Sequence, residues 1–149
     1  MKITILFVLF MAFYQVLFAE TTTLPKIQNR EFPKEELQKQ KIQIASMVVQ
    51  EISKTLPQKV DKYTTLVSIK NDKATLVYTF EINSGAKSDD AIIKEDHSRM
   101  QRAVTQGVCQ SSSKFLEAGI NTRYIYRSKK SKRELFVFNI TQDVCEKEF

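Results

Sequence analysis

The feature that most constrains this chain is a change of hydrophobic period that occurs twice along its length. Leu37, Lys41, Ile44, Val48 and Ile52 fall at spacings of four, three, four and four. Those spacings stack side chains on one face of an α-helix. The stripe runs on to Pro57, whose ring ends a helix at about the preceding residue. Over residues 74–82 the period drops to two. Ala74, Leu76, Tyr78, Phe80 and Ile82 alternate there with Thr75, Val77, Thr79 and Glu81, the pattern of a half-buried strand. Asn71 and Asp72 tolerate left-handed backbone angles and predict a tight turn joining this strand to an antiparallel one before it.

The helical period then returns. Ile93, His97, Met100, Val104, Val108, Ser111 and Phe115 form a second stripe, predicting a helix over roughly Asp90 to Ala118. Ser88 or one of the aspartates Asp89 and Asp90 can cap its start, and Gly119 suits its end. In residues 120–141 the strand period reappears, with Phe136, Phe138 and Ile140 alternating with Leu135, Val137 and Asn139. "LVYTFEI" and "ELFVFNI" match at Phe80/Phe138 and Ile82/Ile140, a hint of a duplicated unit. The order helix, hairpin, helix, hairpin predicts an α+β fold. Its two amphipathic helices would cover one face of a four-stranded antiparallel sheet and leave the other face open.

The first residues read as an export signal. Lys2 gives a short positive start, Ile3 to Phe18 is mostly apolar though interrupted at Gln15, and Ala19 is a small residue suited to cleavage. Leu17 stands where a second small residue is preferred, and an uncleaved anchor is the alternative. The apolar run is nevertheless short of the 20 or so residues that span a bilayer. Residues 20–33 hold two prolines and no periodicity, and read as a flexible lead-in. Residues 34–149 then form a single domain. Loss of Lys2 with the signal lowers the formal charge from +6 to +5, which suits an acidic partner. Three glycines and three prolines argue against extensive disorder.

The two cysteines, Cys109 and Cys145, decide whether catalysis should be sought. A nucleophilic cysteine needs a base within hydrogen-bond reach, and His97 is the single histidine. Twelve helical residues separate it from Cys109, a distance of about 18 Å. Two cysteines and one histidine with no close pair lack the spacings of a metal site. No cofactor is implied. In an exported protein the simplest reading is a Cys109–Cys145 disulfide tying the second helix to the end of the second hairpin. His97, on an apolar stripe, reads as a partly buried structural residue. No pair of carboxylates is marked as catalytic, and the chain reads as a non-enzymatic protein.

The strongest surface feature is basic. Arg123, Arg127, Lys129, Lys130, Lys132 and Arg133 crowd eleven residues without an acid among them, and Tyr124 and Tyr126 lie between. Lys129, Lys130 and Lys132 would form the hairpin tip, with Arg123, Arg127 and Arg133 on its strands. Such a cluster is either a solvated tip or a surface that attracts anionic partners. Arginines interleaved with aromatics also suit single-stranded nucleic acid, a partner that export sets aside.

"LPQKVDKYTTL", "LVYTF", "GVCQSSSKFLEAGINTRYIYR" and "FVFNITQDVC" together span residues 56–145. In this order they resemble small exported proteins of Gram-negative bacteria with two late cysteines. The resemblance implies a periplasmic location, supports the cysteine pairing and brings no catalytic residue. The topology is also similar to that of small secreted inhibitors that bind enzymes through an open sheet face. The sequence thus predicts a periplasmic protein that works by binding. The expected surface is the open sheet face plus the basic hairpin. The expected partner is another envelope or secreted protein, in an accessory, inhibitor or immunity-type role. The alternative is the anionic envelope surface itself, lipid head groups or glycan.

Overall fold

Five strands form one sheet in the order β1-β2-β3-β4-β5. They are β1 (Gln58–Lys59), β2 (Thr64–Asp72), β3 (Thr75–Ile82), β4 (Asn121–Ser128) and β5 (Glu134–Ile140). The computed structural model describes residues 33–148. The export signal and nearly all of the lead-in lie outside them. Helix α1 (Lys34–Ser53) precedes the sheet. Helices α2 (Asp89–Ile93), α3 (Ser98–Ser111) and α4 (Ser113–Glu117) link the two hairpins, and α5 (Gln142–Glu148) comes after β5.

The α+β class fits, but the expected four-stranded antiparallel sheet is overturned. The sheet is five-stranded and mixed, because β3 and β4 run parallel over Thr75↔Asn121 to Ile82↔Ser128. The chain leaves the top of β3, returns through α2, α3 and α4, and re-enters the sheet at the bottom of β4. A helical crossover of that length brings the next strand in parallel. The fifth strand, β1, pairs with β2 through Gln58↔Leu66 and Lys59↔Thr65. Two polar residues after Pro57 carry no strand signal of their own.

The first hairpin turns two residues later than its sequence predicts. Asp72 pairs with Thr75, so Lys73 and Ala74 make the turn, with φ of 48° and 70°. Asn71 contributes its side chain instead, accepting from the Ala74 N–H at 3.0 Å. It also donates to the Ile42 carbonyl and the Ser46 hydroxyl of α1, both at 2.9 Å. In β2 the extra residue Val67, between Leu66 and Ser68, shifts the register. That bulge lets Leu66 and Ile69, three positions apart, face the same side of the sheet, each in one of two adjoining clusters.

The predicted stripes hold at Val48 and Ile52 and at Met100, Val104 and Val108, and slip by one residue at single positions. On α1, Ala45 is fully buried while Ile44 is 43 % exposed. Ala45 packs with Ile69, Leu76 and Ile120, joined by Val48, Val49 and Ile52. A small side chain at the closest approach lets the helix seat on the sheet, where Ile44 would hold it off. The second predicted helix is three pieces. The Asp96 carboxylate accepts from the Ser98 N–H at 2.9 Å and its hydroxyl at 3.0 Å, competing with helical hydrogen bonds. A second break falls at Ser112, with φ −126°. Each break rotates the next helical piece about its axis, so Leu116 is 2 % exposed and Phe115 38 %, the reverse of the expected order.

Other local signals hold at their residues. The Ser88 hydroxyl accepts from the Ala91 N–H at the start of α2. Gly119 (φ 77°) ends α4. There the Ile120 N–H donates to the Phe115 carbonyl and the Gly119 N–H to the Leu116 carbonyl, both at 2.8 Å. A Cβ on Gly119 would meet only the movable end of the Lys41 side chain, so the need for glycine there is the backbone's. Cys109 on α3 and Cys145 on α5 form a disulfide, with Cα atoms 5.6 Å apart. It closes a cluster of Val108, Leu116 and Ile140.

Candidate functional site

The sheet's two faces differ in kind. The helix side carries Tyr78, Phe80, Tyr124, Tyr126, Phe136 and Phe138, packed in a continuous aromatic array. Phe80 and Tyr126 stack at 4.9 Å, and Tyr126 and Phe136 at 4.7 Å. Burial raises the tyrosine pKa values, Tyr126 to about 12 and Tyr124 higher still, so these phenols stay neutral. On the far side the register aligns Val77 with Arg123 and Asn139, Thr79 with Ile125 and Val137, and Glu81 with Arg127. None of these residues belongs to the three core clusters.

A cleft of about 500 Å³ opens where the aromatic array runs out, beyond the upper end of the parallel pair. Ile82, Ile92, Met100 and Phe136 give it an apolar floor. The loop after β3 brings Ser84, Gly85 and Lys87 to the rim, and Tyr63 stands opposite, exposed. His97 forms one wall. Its ring stacks on Phe136 with centroids 3.9 Å apart, and Nε2 donates to the Ile92 carbonyl at 2.9 Å. Both contacts fix the imidazole as a wall. At the rim Lys87 and Glu95 pair at 2.7 Å, and the Lys87 hydrogen bond holds the Glu95 carboxyl below the usual carboxylate range. An apolar hollow with a self-neutralised rim is built to take apolar side chains. Among the described residues, no three His, Cys, Asp or Glu side chains gather as a metal site would require.

The structure disperses the predicted basic surface. Tyr124 and Tyr126 turn to the helix side, away from Arg123 and Arg127, because alternate strand residues point to opposite faces. Arg127 and Lys132 both bind Glu81, at 2.8 and 2.7 Å. Glu81 is 8 % exposed, and its carboxyl is held below the usual range, first by Lys132 and then by Arg127. Arg133 lies in the loop and pairs with Asp90 at 2.7 Å, beside the Ser131 hydroxyl bound to Asp89. Arg123 donates to Asn139 at 2.8 Å. Lys129 and Lys130 are exposed at the tip with no ion pair among the described residues. The neutralising acids come from 43 to 51 residues away, which is why a local count of charges misses them. The cleft was also missed. Its one sequence signal is that His97 and Met100 share the second stripe.

Helices confined to one face of a small mixed sheet, with an apolar cleft at the strand ends, define a small α+β domain. Residues 36–136 match the family described as Domain of unknown function (DUF8479), and the chain belongs to that family. No curated protein matches it in sequence. Among solved structures, a Pseudomonas aeruginosa protein described as secreted is similar with a TM-score of 0.65. It is 11 % identical, over 73 % of this chain and 96 % of its own. EpsS, the pilotin of the Vibrio vulnificus type 2 secretion system, is similar with a TM-score of 0.62 and 17 % identity, over 74 % of this chain and 96 % of its own. AspS, the type II secretion system pilotin of Vibrio cholerae, gives 0.59 and 16 %, over 75 % and 98 %. At these identities the likeness is one of fold. Among the described residues no helix is long and apolar enough to cross a membrane.

Proposed function

We propose that this protein is a non-enzymatic accessory of a secretion assembly in the cell envelope, and that it holds an apolar segment of another protein in the cleft over Phe136. The observation that carries the reading is the cleft itself, apolar at its floor and charge-paired at its rim. The fold shared with two secretion pilotins over nearly their whole length supports the class. An export signal over residues 1–19 and a single working domain over 34–149, in the periplasm, belong to the same proposal. A photo-crosslinking residue at Tyr63 or Lys87 should capture one defined envelope protein, and the same residue at Lys73, on the far hairpin turn, should not. Met100→Glu should abolish the capture while the fold survives, and about 0.5 M salt, which screens surface charge strongly, should not. Equal capture from Lys73, or loss of capture with salt, would refute the reading.

Lys129 and Lys130, exposed at the tip and in no ion pair among the described residues, favour a second reading, contact between the hairpin tip and an anionic lipid or glycan surface. Binding to anionic vesicles that disappears when both lysines become glutamate would establish it in place of the first.

A further inference from the structure

The two edges of the sheet are unequally protected. β1 is two residues long, and a short edge offers little to pair with. β5 runs from Glu134 to Ile140, and among the described residues no strand lies on its outer side. Its core, Leu135-Phe136-Val137-Phe138, has neither proline nor lysine, the residues that usually blunt an edge.

The hydrogen bonding shows which backbone groups are left over. Asn121 and Lys129 donate their N–H groups to Ala74 and Ile82 on the β3 side, whereas Ser128 donates to Arg133 on the β5 side. Successive strand residues turn their N–H and C=O to opposite sides. The even-numbered residues of β4 therefore face β5, and their partners Phe136, Phe138 and Ile140 are satisfied by β4. Val137 and Asn139 direct their N–H and C=O outward, in line for a further strand.

We propose that this edge pairs with β5 of a second copy, antiparallel about a two-fold axis at Val137. In that register Val137 faces itself in a hydrogen-bonded pair, and Leu135 faces Asn139 of the second copy. Glu134 faces Ile140, so no like charges meet along the strands. On the far face Ile125 and Val137, neighbours in register, continue into Val137 and Ile125 of the second copy as one apolar row. Each basic tip arrives at the start of the other copy's α5. Lys129 and Lys130, exposed and in no ion pair among the described residues, then meet the exposed Asp143 and Glu146. This charge complementarity selects a second copy over an arbitrary strand and offsets the repulsion between two basic molecules. The proposal does not rest on the cleft, which opens on the helix side.

Light scattering on the disulfide-intact protein across a dilution series tests it. The native chain should reach twice its monomer mass. Val137→Lys sets two ammonium groups face to face, and Val137→Pro removes an outward N–H that β4 does not use. Both should halve the mass while leaving the circular dichroism spectrum unchanged. A native chain that stays at monomer mass at every concentration overturns the proposal. So does a dimer that persists in either folded variant.

Discussion

Replacing Cys109 and Cys145 together by alanine tests how much of the helix layer depends on one covalent link. The bond joins positions 36 residues apart. On the chain-entropy account, closing a loop of that length removes about 13 cal/mol/K from the unfolded chain, about 4 kcal/mol at 25 °C. A domain of this size unfolds with an entropy near 0.25 kcal/mol/K, so the midpoint should fall by roughly 15 °C. The structure also says where the loss begins. Helix α5 has seven residues, too few to persist without tertiary support, and Cys145 packs beside Val108, Leu116 and Ile140. Differential scanning calorimetry reads the midpoint, and hydrogen exchange reads the site. Amides of α5 should lose protection first, while those of β3 and β4 keep theirs. A midpoint lowered by less than about 5 °C, on the same scale, would refute the entropic argument. Unchanged exchange in α5 would refute the claim that the bond holds that helix.

The packing and the charge network give two further expected outcomes. Leu116→Ala should cost about 2–5 kcal/mol, as for other fully buried leucines. Phe115→Ala should cost under about 1 kcal/mol, and chemical denaturation of the two variants would expose a phase error if the order were reversed. Glu81→Gln should cost about 1–2 kcal/mol at neutral pH, the modest figure reflecting the partly solvated Arg127 and Lys132. Because folding lowers the Glu81 pKa, its contribution is present above the ordinary value near 4.5 and disappears as pH falls through the folded value. The native protein should therefore lose stability more steeply than Glu81→Gln as the pH drops below that point. Parallel acid profiles would show that the ion cluster adds nothing.

The sequence by itself determined the kinds of element and much of their local finish. Period 3.6 and period 2 report on one side chain and its near neighbours, so α1 and the strands around Phe80 and Phe138 are legible without partners. Caps and turns are equally local, as Ser88 and Gly119 show. The pairing of Cys109 with Cys145 is legible because the chain has two cysteines and reads as exported. The tertiary structure decided what depends on distant residues. A half-buried strand alternates whether its neighbour runs parallel or antiparallel, so no periodicity could reveal the β3–β4 pairing that makes the sheet mixed. The burial of Ala45 in place of Ile44, and of Leu116 in place of Phe115, was set by the sheet each helix met and by the breaks at Asp96 and Ser112. In the basic run from Arg123 to Arg133, half of the six cations are tied up by Glu81 and Asp90, acids far away in sequence. The cleft joins Tyr63, Met100 and Phe136 from separate segments. Such a hollow exists only after the chain has folded, because its walls are neighbours in space and not in sequence.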